Sequence, residues 1–123
     1  MKRVLIVDDD RNMHVLYEDL FLEQQKKYQL SFAISVENAI DIMKQTEFDL
    51  VILDIVMEPL SGQYLLLKLR EDKNMKNTQI PVIIVSVLEK TELDFLKKLY
   101  NVHIFQKPLN IKKFTKIVEE IIV

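Results

Sequence analysis

The sequence predicts an α/β domain made of five consecutive strand–helix units, (βα)5, around a parallel sheet. Five short apolar runs recur along the 123 residues, and three of them are nearly unbroken stretches of Val, Leu and Ile. Continuous apolar runs are typical of strands that are buried on both faces, as in parallel sheets. Successive runs begin 20 to 32 positions apart, which leaves room for one crossover helix in each interval. This alternation predicts a parallel sheet with right-handed crossovers.

The strands are predicted from these runs in chain order. The first, third and fourth runs are the unbroken ones, whereas Ser or His interrupts the second and the fifth. The predicted strands are Val4–Val7, Leu30–Ala33, Leu50–Leu53, Val82–Val85 and Val102–Phe105.

The intervals between the runs have helical periodicity. The first carries apolar side chains at i, i+3, i+4, i+7 and i+8, and the later intervals repeat parts of this pattern. Small polar residues that can cap a helix precede the later intervals. The predicted caps of the second to fifth helices are Ser35, Ser61, Thr91 and Asn110.

Composition excludes several kinds of site. The chain has a single glycine, so neither a Gly-x-Gly-x-x-Gly dinucleotide loop nor a Gly-x-x-x-x-Gly-Lys phosphate loop can be written with it. It has no cysteine, which excludes disulfides, thiol catalysis and cysteine-ligated metals. A ligand site must therefore be built from other side chains and from strand ends.

Length and charge define the expected setting. A chain of 123 residues predicts a single domain, residues 1–123. The net charge of −2 does not indicate direct nucleic-acid binding. No apolar run approaches the roughly 18 residues of a membrane span. We therefore expect a soluble, cytoplasmic protein with no membrane contact.

Reactive side chains follow four of the five predicted strands. Ligands of open parallel sheets bind at the carboxyl ends of the strands, so these side chains are candidates for one site. The most economical strand order places the first and third strands side by side, which would bring their carboxylates together. The residues are Asp8, Asp9 and Asp10 after the first strand, Asp54 after the third, Ser86 after the fourth and Lys107 after the fifth.

Converging carboxylates indicate a metal. They repel one another unless a proton, a cation or a metal ion is present. Oxygen ligands without His or Cys suit Mg²⁺, which commonly shares its coordination shell with phosphate. A carboxylate beside the metal can attack phosphorus, while Lys107 balances the phosphoryl charge and Ser86 donates a hydrogen bond. These residues predict metal-assisted phosphoryl transfer onto Asp54.

Taken singly, these residues have simpler interpretations. Asp8–Asp10 can cap the first helix, and Asp54 can be a turn residue after a strand. Ser86 can be an ordinary strand-end hydroxyl, and Lys107 can be a solvated lysine. Their common position at strand ends favours the site. His14 and His103 are interpreted as incidental, because neither belongs to a ligand-spaced pair.

The chain resembles the response-regulator receiver domain of two-component signalling. The resemblance covers essentially the whole chain and rests on Val4–Asp10, Asp49–Asp54, Gly62, Pro81–Ser86 and Lys107-Pro108. It implies a flavodoxin-like, doubly wound sheet with strand order 2-1-3-4-5, the order known for the chemotaxis member of the family.

The resemblance also implies how the metal site would work. Asp54 would accept the phosphoryl group from the phosphohistidine of a sensor histidine kinase. Asp9 and Asp54 would bind Mg²⁺ directly, together with the backbone carbonyl of Val56. Asp8 would act through water or after adjusting its carboxylate.

A signalling output is implied as well. Ser86 and Lys107 would hold the phosphoryl oxygens, and the resulting shift would reach the surface of the fourth helix, fifth strand and fifth helix. The partner there would be a downstream protein, an output domain outside this chain, or a second copy in a homodimer. The protein would then be a signalling phospho-acceptor and not a metabolic enzyme.

The sequence departs from the family pattern around this site. Glu58 stands where the family has proline, and Pro59 follows it. Val87 replaces the usual small residue after the hydroxyl and would narrow access to the acceptor. Ile104 occupies the position of the switch aromatic, and strand alternation would send its neighbour Phe105 into the core.

Two further departures concern hydrolysis and the loop before the fifth strand. Polar residues two past the acceptor and two past the hydroxyl can position hydrolytic water in the family, but here they are Val56 and Leu88. We therefore expect slow self-dephosphorylation. Asn101-Val102 replaces the usual Gly-Ala, and Ser86 and Lys107 are 21 positions apart, one fewer than expected.

Two alternative functions remain at this point. A receiver that no longer accepts phosphate would act as a constitutive interaction module, which Val87 and Ile104 leave room for. A Mg²⁺-dependent phosphohydrolase would use an Asp-x-Asp pair on the first strand, a spacing found here as Asp8 and Asp10.

Overall fold

The computed structural model describes residues 1–22, 27–71 and 79–122. These residues form a five-stranded sheet in the order β2-β1-β3-β4-β5, with every neighbouring pair of strands parallel. The strands are β1 (Lys2–Val7), β2 (Tyr28–Ala33), β3 (Leu50–Leu53), β4 (Val82–Ser86) and β5 (His103–Gln106). The predicted α/β class and strand order are confirmed.

One helix follows each strand within the described ranges. The helices are α1 (Arg11–Phe21), α2 (Val36–Gln45), α3 (Gly62–Glu71), α4 (Lys90–Tyr100) and α5 (Ile111–Ile121). No helix among the described residues is long and apolar enough to cross a membrane.

The helices cover both faces of the sheet, because alternate residues of each strand point to opposite sides. In β1, Leu5 and Val7 belong to one core with buried side chains of α2, α3 and α4. Val4 and Ile6 belong to the second core with α1 and α5. β3 and β4 are buried along their whole length, and β1 is buried from Val4 to Val7, which explains the unbroken apolar runs of these three strands.

The structure confirms some of the predicted helix N-caps. Ser35 accepts a hydrogen bond from the Asn38 N–H at 3.0 Å, and Asn110 accepts one from the Lys113 N–H at 3.1 Å. The prediction that Thr91 caps the fourth helix is wrong. That helix begins at Lys90, two residues earlier than a Thr91 cap requires, and its N-cap, Glu89, makes no side-chain capping hydrogen bond.

The end of α4 explains one departure from the family pattern. Asn101 has φ = 54°, in the left-handed region, and its N–H donates to the carbonyl of Lys97. Asn is one of the few residues other than glycine that take this conformation readily at a helix end. β5 then begins at His103, one residue later than predicted, although Val102 is buried.

Candidate functional site

The topology brings the ends of β1 and β3 together. These strands are neighbours in the sheet, and the Asp54 N–H donates to the Val7 carbonyl at 2.9 Å. The Asp8 N–H donates to the Ala33 carbonyl on the other side of β1 at 3.1 Å. Asp8 and Asp54 therefore leave the sheet side by side, each held by a continuation of the backbone ladder.

Three carboxylates meet at this edge. Carboxylate oxygens of Asp8, Asp9 and Asp54 lie within 4.8 Å of one another. Asp8 is 2% exposed and Asp54 is 6% exposed, whereas Asp9 is open to solvent. Two of the three acidic groups are thus removed from bulk water. Their mutual repulsion is therefore screened less than it would be between exposed groups.

Lys107 places an ammonium between the two buried carboxylates. Its Nζ lies 3.3 Å from Asp8 Oδ2 and 3.1 Å from Asp54 Oδ2. Its backbone N–H donates to the carbonyl of Ser86 at 2.8 Å, which ties the end of β5 to β4. Lys107 contacts two of the three carboxylates, so among the described residues one ammonium stands against three formal carboxylate charges, and this excess of negative charge favours a divalent cation.

Burial dominates the electrostatics of Asp8. Loss of solvation raises the pKa of Asp8, and repulsion from Asp54 adds to the rise. The Asp10 N–H and the Lys107 ammonium act in the opposite direction but do not outweigh burial. The Asp8 carboxylate is therefore held in a place that penalises its ionised form.

Lys107 and Tyr17 respond to the same carboxylates. Burial alone would lower the pKa of Lys107, but attraction and hydrogen bonds to Asp54 and Asp8 outweigh it, and the pKa is raised. Burial raises the pKa of Tyr17 in α1, and repulsion from the two carboxylates raises it further. Lys107 is thus charged and Tyr17 is neutral at physiological pH.

The Asp54 carboxylate is oriented at both of its oxygens. Oδ1 accepts from the Val56 N–H at 3.2 Å, and Oδ2 accepts from Lys107. The Val56 side chain is 49% exposed beside it. Asp54 is therefore fixed in direction, and the neighbouring Val56, whose N–H contacts it, is exposed.

Gly62 supports the loop that follows Asp54. Its N–H donates to the Ile55 carbonyl at 2.9 Å. A Cβ at this position would overlap the carbonyl oxygen of Asp54 and crowd the Cα of Ile55 at 2.9 Å. The single glycine of the chain thus allows α3 to begin directly against the backbone of the candidate acceptor.

Ser86 ends β4 at the same edge of the sheet. It is fully buried, and its Oγ lies 3.5 Å from the Leu88 N–H. The Val87 side chain is 60% exposed. The hydroxyl is therefore buried at the carboxyl end of β4, while Val87 extends into solvent.

Ile104 and Phe105 lie on opposite faces of β5. Ile104 packs with the α2, α3 and α4 core. Phe105 packs with the α1 and α5 core, where its ring meets that of Phe114 edge-on with centroids 5.7 Å apart. The aromatic side chain of β5 thus faces α5 and not α4.

Asp10 does not belong to the acidic cluster described above. Its side chain accepts from the Asn12 N–H at 2.9 Å and caps α1. An Asp-x-Asp pair would need Asp10 to face the reacting group beside Asp8. The cap directs it to the helix instead, which is the simpler interpretation of an acidic residue at a helix start.

The sequence interpretation of His14 as incidental did not anticipate a contact that the structure shows. Its Nε2 lies 2.7 Å from the backbone carbonyl oxygen of Asp8, and its ring packs on Phe32 with centroids 4.8 Å apart. This contact joins a helix side chain to a loop carbonyl, and no spacing motif in the sequence marks it. His103, in contrast, is exposed on β5.

The donor set of the edge fits a hard divalent cation. It offers carboxylate oxygens alone from the acidic cluster, and Mg²⁺ prefers such ligands and retains several waters. Asp9 is open to solvent on the outer side, where a hydrated ion can approach.

Comparison with known proteins identifies the family. The model of the response regulator receiver domain matches residues 4–119. The transcriptional regulatory protein MalR of Bacillus subtilis is 36% identical over 99 residues, which are 80% of this chain and 39% of MalR. The chain thus spans well under half the length of this curated relative.

Solved structures of response regulators have the same fold as this chain. The receiver domain of a Francisella response regulator superposes with a TM-score of 0.84 at 25% identity, covering 98% of this chain and 96% of that one. The response regulator TrrA of Thermotoga maritima, determined in complex with Mg²⁺ and BeF, gives 0.79 at 26% identity, covering 98% and 99%. The chain belongs to the response regulator receiver domain family.

Proposed function

We propose that this receiver domain, residues 1–123, accepts a phosphoryl group on Asp54 in a Mg²⁺-dependent reaction. The donor is the phosphohistidine of a sensor histidine kinase. The observation that carries the proposal is the Lys107 ammonium, which lies 3.1 Å from Asp54 and 3.3 Å from Asp8 at an edge where three carboxylates meet. Family membership supports it, and so does the Mg²⁺ and BeF complex of TrrA.

The reaction is an in-line displacement at phosphorus. An Asp54 carboxylate oxygen attacks, an acyl phosphate forms, and the bond from phosphorus to the histidine nitrogen of the donor breaks. That nitrogen leaves as neutral imidazole after protonation. Lys107 and the Ser86 hydroxyl stabilise the charge on the phosphoryl oxygens.

Asp8, Asp9, Asp54 and the Val56 carbonyl are the proposed ligands of Mg²⁺. When bound, the ion neutralises charge on the phosphoryl oxygens and on the crowded carboxylates. Asp8 is placed to act through a metal-bound water or after a small adjustment, because its oxygens already accept from Asp10 and Lys107.

The proposed output is a change on the surface formed by α4, β5 and α5. Lys107 follows β5 directly, and its backbone N–H is tied to Ser86 of β4, so a phosphoryl group held by both residues acts on the same strand ends. This surface would then bind a downstream protein, an output domain or a second copy of the chain.

The switch is tested with beryllofluoride, which mimics a phosphoryl group on a carboxylate. With Mg²⁺ present, amide resonances should shift at the acidic edge and also along α4, β5 and α5. Asp54→Asn should abolish both sets of shifts. Shifts confined to the edge would contradict the proposed output surface, and the absence of any shift would contradict the acceptor site.

The two alternatives have less support. A phosphohydrolase would need Asp10 at the reacting group, but Asp10 caps α1. A receiver that no longer accepts phosphate would have little need for a lysine oriented between two buried carboxylates. Steady turnover of a small phosphate ester would favour the first of these.

A further inference from the structure

Asp8 is held by four hydrogen bonds, one at each of its polar groups. Its N–H donates to the Ala33 carbonyl, Oδ1 accepts from the Asp10 N–H at 2.8 Å, and Oδ2 accepts from Lys107. The fourth group, the backbone carbonyl oxygen, faces His14 Nε2 at 2.7 Å. Because a carbonyl oxygen only accepts, Nε2 carries the hydrogen and donates it.

His14 is itself held in place from both sides. Its backbone lies in the first turn of α1, and its ring packs on Phe32 of β2 at an interplanar angle of 31°. The side chain is half-buried, so few other orientations are available to it. The donor is therefore aimed at the Asp8 carbonyl by packing that exists before any ligand binds.

The carbonyl of Asp8 belongs to the peptide unit that joins Asp8 to Asp9. A peptide unit is planar, so fixing the carbonyl direction also fixes the direction in which the chain enters Asp9. The Asp9 side chain is exposed, and among the described residues it makes no hydrogen bond or ion pair that would orient its carboxylate. Backbone direction is thus the main constraint on where that carboxylate lies.

We propose that His14 is a positioning residue for the Mg²⁺ site: its Nε2–H fixes the Asp8–Asp9 peptide and thereby holds the Asp9 carboxylate in its ligand position. This inference rests on the proposed function, because it assumes that Asp9 binds Mg²⁺. Outer hydrogen-bond partners of metal ligands typically contribute about tenfold or more in affinity, and a similar contribution is expected here.

The test uses a matched pair of variants. His14→Met keeps an apolar side chain of similar reach against Phe32 but has no donor. His14→Gln places an amide N–H close to the position of Nε2. Mg²⁺ affinity is measured by titration with MgCl₂ alone, followed through amide chemical shifts of Asp9 and its neighbours. His103→Met serves as the control for loss of a histidine elsewhere on the surface.

The expected result is a dissociation constant for Mg²⁺ about tenfold higher in His14→Met, and close to the original value in His14→Gln and His103→Met. Urea denaturation in the presence of a chelator measures stability separately. Equal affinity in His14→Met and the original chain would overturn the inference, as would equal weakening in the Met and Gln variants. If the original chain itself binds no Mg²⁺, the proposed function fails first, and Asp9→Asn then has no effect either.

Discussion

Asp8 is the residue at which stability of the fold and the proposed chemistry conflict. Its carboxylate is buried beside Asp54, and burial raises its pKa despite contacts with Lys107 and the Asp10 N–H. The folded chain therefore holds the Asp8 proton more tightly than the unfolded chain does. The protonated Asp8 side chain contributes fully to the free energy of unfolding at pH values below the unfolded pKa. This contribution is lost as pH rises through the raised pKa of the folded state.

We therefore predict that Asp8→Asn raises the free energy of unfolding at neutral pH without Mg²⁺. A gain on the order of 1 kcal/mol is expected, the usual size for a substitution that relieves a destabilising functional group. The gain should shrink near pH 4, where Asp8 is increasingly protonated in both states. Urea denaturation at the two pH values measures it, with exposed Asp94→Asn as the control. A loss of stability at neutral pH would mean that the ion pair with Lys107 outweighs burial.

Val56 sets the expected lifetime of the phosphorylated state. It is exposed beside Asp54, and Leu88 is the apolar residue at the corresponding place after Ser86. Neither side chain can hydrogen-bond a water for attack on the acyl phosphate. Slow self-dephosphorylation is therefore expected.

Val56→Asn should accelerate the loss of the phosphoryl group several-fold, because the amide can hold a water near phosphorus. The measurement is the decay of the phosphorylated mass after removal of the donor. Leu99→Asn, an exposed apolar residue of α4 away from the acidic edge, should leave the decay unchanged. Rapid decay of the unsubstituted chain, within seconds, would refute the prediction of slow hydrolysis.

At the scale of single elements, the helix starts differ in how they are secured. The Ser35 side chain bonds the Asn38 N–H at the start of α2, whereas α4 starts from Glu89 without a side-chain cap. Thr91 lies inside the first turn of α4 and is exposed. Ser35 therefore caps α2, whereas Thr91 does not cap α4, although both are small polar residues near a predicted helix start.

Ser35→Ala should lower the free energy of unfolding by about 1 kcal/mol, the usual contribution of an N-cap. Thr91→Ala should change it by less than about 0.5 kcal/mol, as is normal for an exposed substitution outside such features. The denaturant midpoints of the two variants, measured side by side, test whether only Ser35 has a capping role. Equal losses would place a capping role on Thr91 after all.

The element boundaries show which part of the fold the sequence encodes locally. The runs that form β1, β3 and β4 were predictable because both of their faces are buried. The start of β5 was predicted one residue early, because Val102 is buried without belonging to the strand. An apolar run reports burial, whereas a strand boundary depends on hydrogen bonds with a neighbour.

At the scale of the whole molecule, the candidate site could be foreseen because topology does most of the assembly. Parallel strands deliver their following residues to one edge, so Asp8, Asp54 and Lys107 meet although they are distant in sequence. The contact of His14 with the Asp8 carbonyl could not be foreseen. It depends on how α1 lies against β2 and on one side-chain rotamer, neither of which has a period in the sequence.

The same topology links the acidic edge to a distant surface. β5 is an edge strand of the sheet, and Lys107 follows it directly, so the proposed change at the phosphoryl group has a short covalent path to α5. Phe105 faces Phe114 of α5, while Ile104 faces the α4 side. β5 therefore contacts α5 through Phe105, although its position facing α4 is occupied by Ile104 and not by an aromatic residue.

The central claim, phosphoryl transfer to Asp54, is tested most directly by intact mass. The chain is incubated with Mg²⁺ and either acetyl phosphate or a phosphorylated histidine kinase, since Val87 is expected to hinder a small donor more than the cognate kinase. The account predicts the addition of one phosphoryl group, which disappears with a chelator and in Asp54→Asn. An adduct that persists in Asp54→Asn, or no adduct from either donor, would contradict it.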